Sequence, residues 1–447
     1  MSRRDANPFR YWVTALIVIQ AASCTTMSTG AGPNVQAEWE VEEPLLESRP
    51  ATQKAVPVAV PEAPIATKGL WVVRTTLSHP DSIRAMVRRA AGAGFNTLLV
   101  QVRGRGDAYY LGGIDPPADA IQARTDFDPL ELTIQEAHAR GIQVHAWMNV
   151  HLVSSAVVLS QDRRHLVHER PDLLAVPEAL ARDLYEVDPG DPAYLARLRE
   201  HARENRHRIE GLYTNPAAPE VKERVYSVAM DLVDRFAIDG IHLDYLRYPG
   251  SDFDYSRRSL ESFRSWVQPR VPPGRWAELD LEADVDPLAF VQGFPGLWAE
   301  FRRAQITEMI ERIYTGVKQR RPEVVVSVAV FPDARESFTY RYQDWEGWLR
   351  AGFVDVVAPM AYDPDDERFD EAISRAAAVA GPERVWAGVG THLTTYAGTV
   401  SKLGIAGQAG VRGFVLFSYD WAVAFGEGMD GVPFLQRVGR TFRDPRR

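Results

Sequence analysis

Cysteine is nearly absent: Cys24 is the only one in 447 residues. A lone cysteine excludes an internal disulfide, and no Cys/His cluster has the spacing of a zinc site. No glycine-rich phosphate loop follows the first β-rich run, and no Gly-x-Ser-x-Gly elbow or nucleophilic cysteine is placed for covalent catalysis. Basic stripes are missing too. The net charge is -9, with arginines and acids mixed along the chain, so phosphate-backbone recognition of a nucleic acid is not expected. Neither a metal nor an organic cofactor is expected. What remains is an ordinary globular composition, 45% hydrophobic and 25% charged, long enough for one large barrel or two average domains.

The N-terminus reads as an export signal. Arg3, Arg4 and Arg10 form a positive region ahead of a short apolar run over residues 11–23. That run falls below the roughly 20 residues needed to span a bilayer. Ala21-Ala22-Ser23-Cys24 resembles a bacterial lipobox, which predicts a lipoprotein signal peptide over residues 1–23 and lipidation of Cys24. The alternative is an ordinary signal peptide with an incidental cysteine. Several acyl chains would anchor the protein stably, where one is marginal. Thr25 after Cys24 resembles outer-membrane sorting, so the expected location is the cell envelope, anchored to the outer membrane and facing the periplasm. Residues 24–67, punctuated by Pro44, Pro50, Pro57, Pro61 and Pro64, have no helical or strand period. They read as an extended tether, leaving residues 68–447 as the catalytic domain.

From Gly69 onward, short β-branched runs alternate with amphipathic stretches. This pattern predicts parallel strands with crossover helices. Eight runs are visible, over residues 69–75, 95–102, 142–149, 240–245, 324–331, 354–360, 385–390 and 413–418. Eight such units predict a (β/α)8 TIM barrel; an open doubly wound sheet is the alternative. Two insertions, from His151 to about Ala218 and from Pro249 to about Gly296, leave from the ends of strands three and four. Long loops on that side of a barrel build substrate clefts.

Barrel enzymes carry their chemistry at the C-terminal strand ends. Here those ends are rich in carboxylates, arginines and aromatics, a set suited to glycosidic bond cleavage. One acid protonates the leaving oxygen while another group stabilises an oxocarbenium-like centre or activates water. Asp244, at the end of the fourth strand, is the leading catalytic candidate, because an isolated charge buried there is costly without a purpose or a partner. Asp107 and Asp363 compete for the second carboxylate, with Asp420 and Asp333 behind them. The structural alternative has Asp107 bracing its loop through Arg103 or Arg105, and Asp363 capping the next helix. Arg74, Gln101, Arg103, Asn149, Tyr245, Arg247 and Tyr362 are candidate substrate contacts, whereas His145 and His242 read as core histidines and Asp239 as structural.

Several of these motifs together resemble the bacterial glycosyl-hydrolase-like family ten. They are Gln101-Val102-Arg103-Gly104-Arg105-Gly106-Asp107-Ala108, His145-Ala146-Trp147-Met148-Asn149, and Asp239-Gly240-Ile241-His242-Leu243-Asp244-Tyr245 with Arg247-Tyr248-Pro249. Leu212-Tyr213-Thr214-Asn215-Pro216 and Trp298 with Phe301-Arg302-Arg303 add to the likeness, which spans about Lys68 to Trp421. The resemblance implies an amylase-like barrel, often lipid-anchored, whose best-understood members cleave the β-1,4 link between N-acetylmuramic acid and N-acetylglucosamine in peptidoglycan strands stripped of stem peptides. It puts Asp244 at the catalytic carboxylate of strand four, and Arg103 and Asp107 in the strand-two motif. The resemblance does not extend to Asp363 in the strand-six run, and the insertion after strand three is longer than is usual for the family. A chitinase-like reading of strand four fails, because Leu246 stands where that pattern needs its glutamate and His242 where it needs its middle aspartate. A catalytically inactive glycan-binding envelope lipoprotein and a hydrolase of another secreted polysaccharide stay open as alternatives.

Overall fold

The computed structural model describes residues 66–124, 126–426 and 432–442. The expected signal peptide, Cys24 and nearly all of the tether lie outside these residues. Eight parallel strands form the centre: β1 (Thr67–Val72), β2 (Thr97–Arg103), β3 (Gln143–Asn149), β4 (Gly240–Asp244), β5 (Val325–Val330), β6 (Val356–Pro359), β7 (Trp386–Gly390) and β8 (Gly413–Phe417). Their hydrogen-bonded order is β6-β5-β4-β3-β2-β1-β8-β7, and a parallel bridge between Val357 and Val385 joins the two remaining edges. The ring is therefore closed, as the eight-run pattern predicts. Near-continuous apolar runs are what such strands need, because they are buried on both faces.

Helices cover the outside: α1 (Pro80–Ala93), α2 (Pro129–His138), α3 (Pro219–Arg235), α4 (Pro295–Arg320), α5 (Trp345–Ala351), α6 (Asp366–Ala380), α7 (Tyr396–Gln408) and α8 (Phe434–Thr441). Local chemistry sets their starts. Asp128 accepts from the Leu130 and Glu131 amides ahead of Pro129, and Asp365 accepts from Glu367 and Arg368, each filling otherwise unpaired N-terminal donors. Among the described residues, no helix is long and apolar enough to cross a membrane.

The barrel interior is filled by large rings. Trp71, Trp147, Trp386, Leu99 and Phe417 form its apolar packing. Glycine makes room for them. A Cβ on Gly240 would lie 2.1 Å from His145 Nδ1, and one on Gly413 would lie 2.1 Å from Trp386 Cδ1. Each glycine at a strand start thus matches a ring on the neighbouring strand. His145 and His242 are core groups, as expected. Trp71 Nε1–H donates to His242 Nε2 (3.0 Å) and His242 Nδ1 meets Ser327 Oγ (2.9 Å). An indole nitrogen only donates, so His242 Nε2 accepts and Nδ1 carries the hydrogen. Burial holds the His242 imidazole well below its ordinary value and brings His145 down to about 4.

The first strand ends well before the sequence pattern suggests. β1 stops at Val72 because the chain turns into a short 3-10 segment, Arg74–Ser78. Asp420 pins that turn, accepting from the Val73 amide (3.0 Å) and the Thr76 hydroxyl (2.6 Å). β6 covers only Val356–Pro359. The insertion after β3 carries an antiparallel pair, Leu152–Ser154 with Leu212–Tyr213, that returns its far end to the barrel rim. The insertion after β4 folds as helices whose core, including Tyr255, Phe263 and Leu279, packs on Trp298 and Phe301 of α4.

Candidate active site

A cavity of about 510 Å³ opens at the C-terminal ends of the strands. Trp71, Trp147, Phe417 and Tyr362 give it an aromatic floor, and Gln101, Asn149 and Asp244 reach it from β2, β3 and β4. Register explains that row, because Asn149 pairs with Asp244 across β3 and β4, and Gln101 pairs with Trp147 across β2 and β3.

Asp244 closes β4. Immediately after it, Tyr245 adopts φ 53, a left-handed backbone unusual for a non-glycine residue. That turn aims the Tyr245 amide back at Asp244 Oδ1, 2.7 Å away. Strained positions of this kind cost about 1–3 kcal/mol and cluster at functional sites. The Asp244 side chain keeps 9% of its surface exposed, so it is desolvated yet reachable from the cavity. Burial pushes its carboxyl above the ordinary aspartate value, Arg247 and the Tyr245 amide pull it back in part, and nearby Glu210 pushes it up again.

Arg247 ties the acids together. Its Nη1 lies 3.4 Å from Asp244 Oδ1 and its Nη2 lies 3.5 Å from Glu210 Oε1. Its guanidinium is held between the Tyr245 ring (4.1 Å) and the Phe331 ring (4.9 Å), an arrangement that restrains a long side chain by cation–π contact. Because both acids face one rigid fork, their bridged oxygens stand no more than about 9 Å apart. Glu210 comes from the insertion after β3, and its Oε2 accepts from the Tyr213 hydroxyl at 2.5 Å. Gly211 beside it permits the close return of that segment, since a Cβ there would lie 1.9 Å from the Ser154 carbonyl oxygen. Among the described residues, no group of three or more His, Cys, Asp or Glu side chains is arranged to hold a metal ion.

Residues 67–395 match the family described as Glycosyl hydrolase-like 10. The chain belongs to this family. A protein named Glycosyl hydrolase DigH, from Escherichia coli, is 24% identical over 367 residues, which cover 71% of this chain and 72% of that one. Glycosyl hydrolase YngK from Bacillus subtilis is 21% identical over 296 residues, 60% of this chain and 46% of that one. The fold is similar to the PgaB (BpsB) glycoside hydrolase domain from Bordetella bronchiseptica, with a TM-score of 0.52 at 14% identity over 78% of this chain and 93% of that chain. It is similar also to the catalytic domain of β-amylase from Paenibacillus polymyxa, with a TM-score of 0.51 at 11% identity over 84% of this chain and 97% of that chain. As a member of the glycosyl hydrolase-like 10 family, the protein is a glycoside hydrolase, and its substrate is a glycan.

Within this family member, Asp244, Asp363, Arg74, Gln101, Asn149, Tyr245, Arg247 and Tyr362 all line the cavity. Asp363 stands on the rim, 2.8 Å from Arg368 Nε, and accepts from the Asp365 amide. Asp333 lines the rim as well. Three expectations need correction. Arg103 is not a substrate contact, because its side chain is 2% exposed and its Nε pairs with Asp115 Oδ2 at 2.5 Å, while Nη1 donates to the Asn149 and Val150 carbonyls. Asp107 does not line the cavity; its Oδ1 accepts from the Arg105 amide at 2.7 Å and so shapes the loop that presents Arg105. Asp420, a lesser candidate, is committed to the turn after β1.

Sequence reasoning missed Glu210 and Arg105 as site residues. A signal for Glu210 existed, since it stands just ahead of the family-like Leu212-Tyr213-Thr214-Asn215-Pro216 run. Arg105 sits in the strand-two motif itself, two residues beyond Arg103.

Proposed function

We propose that this glycoside hydrolase cleaves peptidoglycan glycan strands from which the stem peptides have been removed, at the bond between N-acetylmuramic acid and N-acetylglucosamine. The observation that carries the reading is the Asp244–Arg247–Glu210 bridge on the wall of an aromatic-floored cavity. Two carboxylates in unlike environments suit unlike roles. Asp244, whose burial favours the protonated form, gives its proton to the glycosidic oxygen as the bond to the anomeric carbon breaks. The Glu210 carboxylate stabilises the oxocarbenium-like centre, which water captures while passing a proton to the Asp244 carboxylate and so restoring the acid. Trp71, Trp147 and Tyr362 offer flat apolar faces to sugar rings.

The test uses cell-wall sacculi pretreated with an amidase. The wild-type protein is expected to release disaccharide products from them, and faster than from untreated sacculi. Absence of release from treated sacculi contradicts the substrate reading.

The pH profile depends on the same group. A raised carboxyl value means that Asp244 keeps its proton to higher pH than an ordinary aspartate. If the protonated form is the working one, kcat/KM declines as pH rises through that value. An initial-rate series across pH is expected to show this descending limb above the ordinary aspartate range. A rate that climbs through that interval and stays high at alkaline pH assigns Asp244 the opposite role.

We further propose that the chain is anchored to the outer membrane through a lipidated Cys24, in keeping with the basic n-region, the short apolar run and the lipobox. Cys24→Ser is expected to abolish incorporation of labelled fatty acid and to shift the protein from the membrane fraction to the soluble one. Unchanged labelling contradicts the anchor.

A further inference from the structure

Most arginines at the barrel mouth are matched to a carboxylate. Arg103 faces Asp115, Arg247 faces Asp244 and Glu210, Arg368 faces Asp363, and Arg375 stands 3.8 Å from Asp333. Arg74 and Arg105 differ. Both line the cavity on its β1–β2 side, and among the described residues neither is ion-paired with a carboxylate. Arg105 Nε is buried with no hydrogen-bond partner. The nearest acid in sequence, Asp107, is turned to the Arg105 backbone amide.

The pair is also built. Arg74 lies along Gly104, where a Cβ would come within 2.3 Å of its Cδ, so only glycine lets it run there. Its Nη1 donates to Gln101 Oε1 (3.0 Å), and Gln101 Nε2 donates in turn to Asn149 Oδ1 (3.4 Å). Burial first, and then the charge of Arg74, bring the Arg105 guanidinium down to about 10. Both residues are half-buried, and two like charges near one another in a partly desolvated wall favour an anion that joins them. Arg105 lines the same cavity as Tyr245 and Asp244 and acts electrostatically on Tyr245.

We infer that Arg74 and Arg105 form a subsite that reads a carboxylate on the substrate, selecting a glycan with an acidic sugar next to the cleaved bond over a neutral one. This rests on the reading of the cavity as the glycan site. A carboxylate accepts two parallel N–H bonds from a guanidinium, a strong and directional contact. In a denuded peptidoglycan strand, the free lactyl carboxylate of the muramic acid residue supplies it. A neutral polymer, or a strand whose lactyl group is still amide-linked to a peptide, leaves both guanidiniums without a counter-charge.

The probe is an oligosaccharide prepared from denuded strands, used either as the free acid or after reduction of the lactyl carboxylate to the alcohol. Binding is read by calorimetry in an Asp244→Asn background, which prevents turnover, and kcat/KM is read in the wild type. The acid is expected to bind about 30-fold more tightly than the alcohol, as for a charged hydrogen bond. Arg105→Gln and Arg74→Gln are expected to bring the acid-to-alcohol affinity ratio towards one, and Arg105→Lys to keep part of it. Equal binding of acid and alcohol, or binding of neither, overturns the inference. A clear acid preference with no cleavage by the wild type supports it while removing the hydrolytic reading. Efficient cleavage of both forms with no preference does the reverse.

Discussion

Asp244→Asn is expected to leave a folded barrel that no longer cleaves glycan, with kcat lowered about 10³-fold, within the range that a positioned acid or base contributes. The replacement keeps an oxygen near the Tyr245 amide, which donates to Oδ1 at 2.7 Å, and changes the size of a nearly buried side chain very little. It replaces the acidic proton by an amide NH2 that cannot protonate a leaving oxygen. An alanine would confound the result, because it strips both the Tyr245 amide and Arg247 of an acceptor. Initial rates on denuded strands, set beside thermal unfolding of the same preparations, check this. Glu210→Gln is expected to cost about 10²-fold, and the double variant less than the product of the two, since groups acting as one unit are not additive. Wild-type rates in Asp244→Asn remove this residue from the mechanism.

Asp115→Asn is expected to give the largest stability loss among the single substitutions considered, about 3–5 kcal/mol, because removing one partner of a buried ion pair leaves uncompensated charge. The Asp115 side chain is 1% exposed and lies between Arg103 (2.5 Å) and Arg224 of α3 (2.6 Å). Burial works against its ionisation, but the two guanidiniums outweigh burial and hold its carboxyl below the ordinary range. The damage should spread to the site, since Arg103 also holds the carbonyls of Asn149 and Val150 at the end of β3. The urea midpoint measured by circular dichroism is the readout. Glu278→Gln, which breaks the exposed pair with Arg275, is the comparison and should shift stability by less than about 0.5 kcal/mol. Equal shifts in the two variants refute this account of the buried triad.

Regular structure was the legible part of the sequence. The buried β-branched runs and the helical spacing between them specify eight units, and reading along strand ends leads to Asp244, Tyr245 and Arg247. The errors have local physical causes. Strand side chains alternate between faces, so an arginine two residues beyond Gln101 is expected to share its cavity face. The β2–β3 register slips between Gln101 and Arg103, and a slip of this kind re-aims the side chains beyond it. Arg103 therefore turns into the protein, and Arg105 takes the cavity wall. Glu210 is not read as a rim residue because it lies in a long insertion away from any strand end; the pairing of Leu212–Tyr213 with Leu152–Ser154 returns it to the rim. Asp420 reads as a rim acid, but the early end of β1 presents it with the Val73 amide.

The central claim is that Asp244 and Glu210 act together on one glycosidic bond. Its most direct test is a structure of the Asp244→Asn protein bound to a tetrasaccharide from denuded strands. The account predicts a bridging glycosidic oxygen within about 3 Å of the residue-244 side chain, with the sugar on the cleaved side facing Glu210. A tetrasaccharide seated away from that side chain, or one whose glycosidic oxygens all point from both acids, contradicts it.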